Sequence, residues 1–231
     1  MARPLPNVTL VLIDGGACPP LSKMALETTL TQVTPEEVLV FTEEPLLNGT
    51  KWYHCDAKTA MAMNRTLWYS VPFCVRTSHF FTVEWDGWVI DGNAFRDEWL
   101  SLDWISAPWP WHKDGLDVGN GMALRSVGLM RHLAKNYSLR VPEDDLICRK
   151  YRRSLEAEGF RWATFYEARN YAFERCPPRP AFAFQGVWNW PKILGAKELS
   201  YRMALINDHV RSKSEYREIQ GLLKQMGFKN A

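Results

Sequence analysis

Val8-Thr9-Leu10-Val11-Leu12-Ile13 is a β-branched, apolar run. It predicts a buried strand of the kind found in parallel sheets. Asp14-Gly15-Gly16 breaks it, and Pro19-Pro20 opens a helical stretch to about Leu30. Thr34-Pro35-Glu36-Glu37 then leads into a second apolar strand, Val38–Phe41. Strand, helix, strand in that order predicts an α/β sheet. Residues 52–72 read as helical at their centre, with Met61, Met63, Leu67 and Trp68 supplying the apolar surface.

His79-Phe80-Phe81-Thr82-Val83 reads as another buried strand. It ends in Glu84-Trp85-Asp86-Gly87, after which Trp88-Val89-Ile90 resumes the strand pattern. Residues 104–118 form a loop rich in Pro and Trp. Ser126 is placed as an N-cap, because Val127, Met130, Leu133 and Ala134 follow at helical spacing. Glu143-Asp144-Asp145 starts a further helix, and Phe160–Phe165 reads as a short strand. A proline-rich break at residues 177–180 sets off the last part. Its tail from Ser214 carries Tyr216, Ile219, Leu222, Leu223 and Met226 on one helical face. These readings give one domain over residues 1–190, with a C-terminal helical extension over 191–231 packed on it.

Composition changes this picture in one respect. The 231 residues include 11 tryptophans, a residue used to hold sugars, bases or other proteins as well as to fill cores. The net charge of +2 lacks the strong bias of a dedicated DNA-binding domain. The five cysteines form no C-x-x-C pair, which argues for free thiols in a reducing cytoplasm. No signal-peptide pattern and no apolar span of about 20 residues occurs. The expectation is a cytoplasmic protein without stable membrane insertion.

Two acidic clusters are candidates for chemistry. Glu84 and Asp86 stand two apart at a strand end, where alternate side chains share a side and converge on one cation. Hard cations such as Mg²⁺ and Mn²⁺ prefer such oxygen ligands. Glu143-Asp144-Asp145 offers a general base, although acidic residues also favour a first helical turn for electrostatic reasons alone. Asp14, Gly15 and Gly16 follow the first strand, the place where α/β sheets bind ligands, and equally fit a plain turn.

Three tracts in order are Ala107-Pro108-Trp109-Pro110-Trp111-His112, Val118-Gly119-Asn120-Gly121-Met122-Ala123-Leu124-Arg125-Ser126 and Glu143-Asp144-Asp145-Leu146-Ile147-Cys148-Arg149. They resemble a family of small bacterial and phage proteins, catalogued as a domain of unknown function and related to GT-A glycosyltransferases. The family pattern is a Pro-Trp loop, G-N-G-G-[FL]-S-L-R-S, E-D-x-x-I-C-R and F-x-F-H-G-x-W-N. The motif order is also similar to that of the β-1,4-galactosyltransferase and fringe families. Two departures from the pattern matter: Met122 stands at a glycine position, and Gln185 at the histidine of the last tract.

The resemblance implies a GT-A-like, Rossmann-type mixed sheet flanked by helices. It implies transfer of a sugar from a nucleotide-sugar donor, a UDP-sugar first of all, to an acceptor hydroxyl with inversion. Asp144 would be the base, with Glu143 beside it. Asp14, Gly15, Glu84, Trp85, Asp86, Gly119, Asn120 and Gly121 would meet the donor. Trp109, Trp111, His112 and Asp145 would meet the acceptor, a glycan or a hydroxymethylated pyrimidine in phage DNA. Asp86, with Gln185 at the histidine position, would hold Mn²⁺ or Mg²⁺. The alternative is a non-catalytic module of the same fold that binds nucleotide sugars or glycans.

Overall fold

The structure, a computed structural model, describes residues 1–14, 18–109, 112, 116, 119, 122–140, 142–206, 217, 220, 221 and 224. A six-stranded mixed sheet carries the fold, in the order β3-β2-β1-β4-β7-β6. Its strands are β1 (Arg3–Ile13), β2 (Val33–Thr42), β3 (Lys51–His54), β4 (His79–Val83), β6 (Trp104–Ile105) and β7 (Leu124–Ser126). A second sheet, β5-β9-β8, is built from β5 (Trp88–Val89), β8 (Ala172–Phe173) and β9 (Ala183–Phe184).

β1 pairs in parallel with β2 and β4, so residues 8–13 are buried on both faces as their unbroken apolar pattern predicts. The strand begins earlier than the apolar run, at Arg3, in spite of Pro4 and Pro6. A register shift lies between Leu5 and Thr9. Within it Asn7 adopts φ 63, a left-handed conformation that Asn tolerates better than most residues. Its backbone N–H is satisfied by Glu36 Oε2 at 2.7 Å. Proline is accommodated at such a bulge, where the ladder is already interrupted.

The first helix, α1 (Pro19–Gln32), starts on two prolines, which suit the first helical turn. Residues 52–72 divide into the exposed edge strand β3 and α2 (Ala60–Arg65), capped by Thr59 Oγ1 on the Ala62 N–H. A π-helical turn, Thr66–Ser70, joins α2 to α3 (Val71–Cys74). Ser126 does cap α4 (Val127–Asn136), accepting from the Leu129 N–H at 3.0 Å. The acidic tract forms α5 (Glu143–Asp145), followed by a second π-helical turn, Leu146–Lys150, and α6 (Arg152–Ala157).

Two expectations are corrected. Residues 160–165 form no strand: Trp162 makes an isolated bridge to Trp104, and Thr164 caps α7 (Phe165–Tyr171) through a capping box with Glu167. The segment 104–118 is not loop throughout, since Trp104–Ile105 pairs antiparallel with β7. Short helices α8 (Trp190–Ile193) and α9 (Ala196–Leu205) end the continuous description, with α9 against α1. The amphipathic pattern expected from Ser214 falls on residues almost all of which lie outside those described.

The tryptophans are used mainly inside. Trp68, Trp99, Trp104 and Trp190 are among the largest fully buried side chains. Trp104, Trp162, Trp188 and Trp88 each carry a guanidinium over the ring, from Arg125, Arg152, Arg175 and Arg202 at 4.8, 5.6, 4.3 and 4.2 Å. Arg125, Arg152 and Arg202 are buried, and cation–π contact of this kind gives a buried arginine a favourable surface.

Candidate active site

The carboxyl ends of β1 and β4 face the start of the acidic helix. The antiparallel pairing of β4 with β7 sets Phe80 opposite Arg125, and the pairing of β6 with β7 sets Trp104 on its other side. Arg125 therefore lies between two rings, 5.8 Å from Phe80 and 4.8 Å from Trp104. Phe80, Thr82 and Glu84 alternate along one strand face. Arg125 Nη1 donates to Thr82 Oγ1 at 3.1 Å, and Nη2 reaches Glu143 Oε1 at 3.5 Å. Both Arg125 and Glu143 are buried.

Glu84 and Asp86 lie in a tight turn rather than a continuing strand. Gly87 N–H donates to Glu84 O at 3.2 Å, and the chain then passes into the second sheet at β5. The Asp86 carbonyl accepts from Trp190 Nε1 at 3.1 Å, which anchors the turn. A cavity of about 30 Å³ lies beside it, lined by Ile13, Thr82, Val83, Glu84, Glu143 and residues of α2 and the turn after it.

The acids feel one another. Burial pushes the Glu84 carboxyl up to about 7, and the negative charges of Asp86 and Asp144 add to that rise against the opposing pull of Arg125. Burial likewise raises Glu143 to about 7, with Asp144 next in effect and Arg125 opposing. Asp144 is half-buried and also raised, chiefly by burial, while the Asp145 N–H on its Oδ1 at 2.9 Å holds it down. One buried guanidinium serves several carboxyls, so the cluster is built to keep protons near neutral pH. That is the property wanted of groups that exchange protons with a substrate.

Gln185 completes the cluster from β9's end. Its Nε2 donates to Glu84 Oε2 at 3.0 Å, and its Oε1 accepts from the Met122 N–H at 2.8 Å. The glycine that follows it is required: Gly186 has φ 100, and a Cβ there would stand 2.2 Å from the Trp188 ring.

The remaining candidates are placed as follows. Asp14 is buried at the end of β1, with its N–H on Phe41 O at 3.0 Å. Trp85 packs edge-on against Trp190 at 6.0 Å. Asp145 is exposed and pairs with Arg149 at 3.8 Å. Gly119 is clamped, its N–H on Ala107 O and its carbonyl receiving Trp104 Nε1 at 3.1 Å. A Cβ on Gly119 would stand 2.0 Å from Trp109 Nε1. The close approach expected for a ligand at this glycine is thus taken by an indole. Trp109 is buried, 7% exposed, against Gly119 and 5.4 Å from the His112 ring. It packs inside the loop, against the glycine. Gly15, Trp111, Asn120 and Gly121 lie outside the described residues.

Arg125 was not legible as a site residue. An arginine inside Ala123-Leu124-Arg125 is the signal, since a charge in an apolar strand must find a partner. Among the described residues, no group of three or more His, Cys, Asp or Glu is arranged to hold a metal ion. Nor is any helix among them long and apolar enough to cross a membrane.

Comparison with known proteins gives a family. No curated protein sequence matches the chain. Among solved structures, it is similar to the crystal structure of a glycosyltransferase involved in the glycosylation of the major capsid of PBCV-1. The identity is 11%, over 84% of this chain and 97% of that one, with a TM-score of 0.45. A family described as a protein of unknown function, DUF5672, matches residues 50–185, more than half of the chain, and that span holds both acidic clusters, Arg125 and Gln185. The chain belongs to the DUF5672 family.

Proposed function

We propose that this protein is a glycosyltransferase that moves a sugar from a nucleotide-sugar donor, a UDP-sugar first of all, to an acceptor hydroxyl. One observation carries the reading: the Glu84–Asp86 turn and the Glu143–Asp144 helix start meet around Arg125 at the carboxyl end of a mixed α/β sheet. Ligands of open α/β sheets sit at that end. Sugar transfer needs two acidic functions there, one to steady the leaving diphosphate through a cation and one to accept a proton.

Asp144 is assigned as the base. In an in-line displacement the acceptor oxygen attacks the anomeric carbon and its proton passes to Asp144. The bond to the diphosphate breaks with its electron pair leaving on the phosphate oxygen, and configuration inverts. Glu143 holds Arg125, while burial, with the charge of Asp145 adding to it, raises the proton affinity of Asp144. Asp86, with Glu84 beside it, offers the carboxylate oxygens that Mn²⁺ or Mg²⁺ prefers, the rest of the shell coming from phosphate and water. Such an ion, when bound, would neutralise the charge developing on the diphosphate. A glycan or a hydroxymethylated pyrimidine in DNA is the acceptor proposed.

Asp144→Asn tests the assignment. Transfer should be abolished while a UDP-sugar still shifts the melting temperature as it does for the wild type. Normal turnover would remove Asp144 as base. A non-catalytic binding module is the second reading, favoured by Gln185, whose amide oxygen is already engaged by Met122. Slow release of UDP from UDP-sugar without acceptor would exclude it.

A further inference from the structure

Gln185 is bound on every polar atom it has. Its backbone N–H donates to Phe173 O at 3.1 Å, and its carbonyl accepts from Asn189 Nδ2 at 3.0 Å. Its side chain spans Met122 and Glu84. The amide has only one possible orientation there. A backbone N–H can only donate, so oxygen faces Met122 and the amino group faces Glu84.

Met122 is itself a constrained residue. It has φ 54, a left-handed conformation that is strained for a non-glycine residue. Its side chain is buried and its carbonyl accepts from the Tyr171 hydroxyl at 2.6 Å. The strained peptide is therefore held on its N–H side by Gln185 and on its carbonyl side by Tyr171. It is also the first described residue after Gly119-Asn120-Gly121. Met122 and Gln185, 63 positions apart, are thus hydrogen-bonded to each other.

We infer that Gln185 is a positioning residue that clamps the exit of the glycine-rich segment to the acidic turn, fixing Met122 and Glu84 as one unit for the nucleotide. This deepens the glycosyltransferase reading and rests on it for the identity of the ligand. The clamp itself rests only on the two hydrogen bonds. Gln185 is not a spare metal ligand in this arrangement, because its oxygen is spent on a backbone donor whose loss would release a strained peptide.

The test measures amide hydrogen exchange at Met122 and calorimetric binding of UDP with Mn²⁺, in the wild type and in Gln185→Leu and Gln185→Glu. Near-ultraviolet circular dichroism checks that each variant is folded. In Gln185→Leu, Met122 exchange should speed up, and UDP affinity fall, each by about tenfold, the size of one hydrogen bond. Gln185→Glu should keep Met122 exchange slow, because a carboxylate still accepts from the Met122 N–H, but it has no N–H for Glu84 and should lose UDP affinity as Gln185→Leu does. A side chain that merely fills space would show no such rescue. Unchanged Met122 exchange in a folded Gln185→Leu protein overturns the clamp. Faster exchange with unchanged UDP affinity overturns its role in binding. A wild type that binds no nucleotide, with Met122 exchange still dependent on Gln185, sinks the glycosyltransferase reading and leaves the clamp standing.

Discussion

Arg125 Nη2 stands 3.5 Å from Glu143 Oε1, with both side chains withdrawn from water at 1% and 3% exposure. The pair joins the central sheet to the acidic helix. A charge so placed cannot lose its partner cheaply, because the survivor stays buried.

Arg125→Met should therefore destabilise the fold by about 3–5 kcal/mol at pH 8, read from urea unfolding. The loss should be smaller at pH 6, where Glu143 can keep its proton and become neutral. Combining Arg125→Met with Glu143→Gln should recover part of the loss, since the buried charge is gone from both sides. Equal losses at both pH values would show that Glu143 does not face Arg125 as described.

Stability should fall as pH rises from about 5 to 8. Glu84 and Glu143 are pushed up to about 7 in the folded state, above the usual carboxylate range. Folded protein thus holds protons that the unfolded chain has released. That contribution is complete below the unfolded value, is lost as pH rises through the folded one, and is absent above it. Urea midpoints measured across this range should decline, and Glu143→Gln should flatten the decline. A midpoint that rises with pH would contradict the placement of these acids.

Gly119→Ala should cost about 1–3 kcal/mol by overpacking, with no contribution from backbone strain. A methyl group there meets the Trp109 indole at 2.0 Å. Thermal unfolding reads the cost. An accompanying change in tryptophan fluorescence would locate it at Trp109.

Asp86→Ala should weaken UDP binding in the presence of Mn²⁺ by about tenfold or more while leaving the fold intact. The Trp190 contact to this residue uses the backbone carbonyl and survives the substitution. Adding EDTA to the wild type should bring its affinity to the level of the variant. Undiminished binding in both cases would take Asp86 out of the site.

Much of the fold was legible because the signals were local. Val8–Ile13 and His79–Val83 are unbroken apolar runs, and both lie in central strands. Ser126 before a helical period is a capping pattern, and it caps. Strand β3 was not legible, since an edge strand of four mostly exposed residues carries no apolar alternation. Nor was the strand at Trp104, whose pairing with β7 is a long-range choice.

What the sequence by itself determined is which segments must be buried, where helices start, and that five acidic residues stand in two short clusters. Those follow from side-chain period, capping chemistry and the cost of exposing apolar surface. Only the tertiary structure decided what the clusters share. Strand register set Arg125 between Phe80 and Trp104 and aimed it at Thr82 and Glu143. A crossing between two sheets brought Gln185 to Met122 and Glu84. Register and crossing depend on contacts between residues 40 to more than 100 positions apart, as in Thr82 to Arg125 and Glu84 to Gln185. No local pattern encodes those contacts, so the proton-holding cluster exists only once the chain has folded.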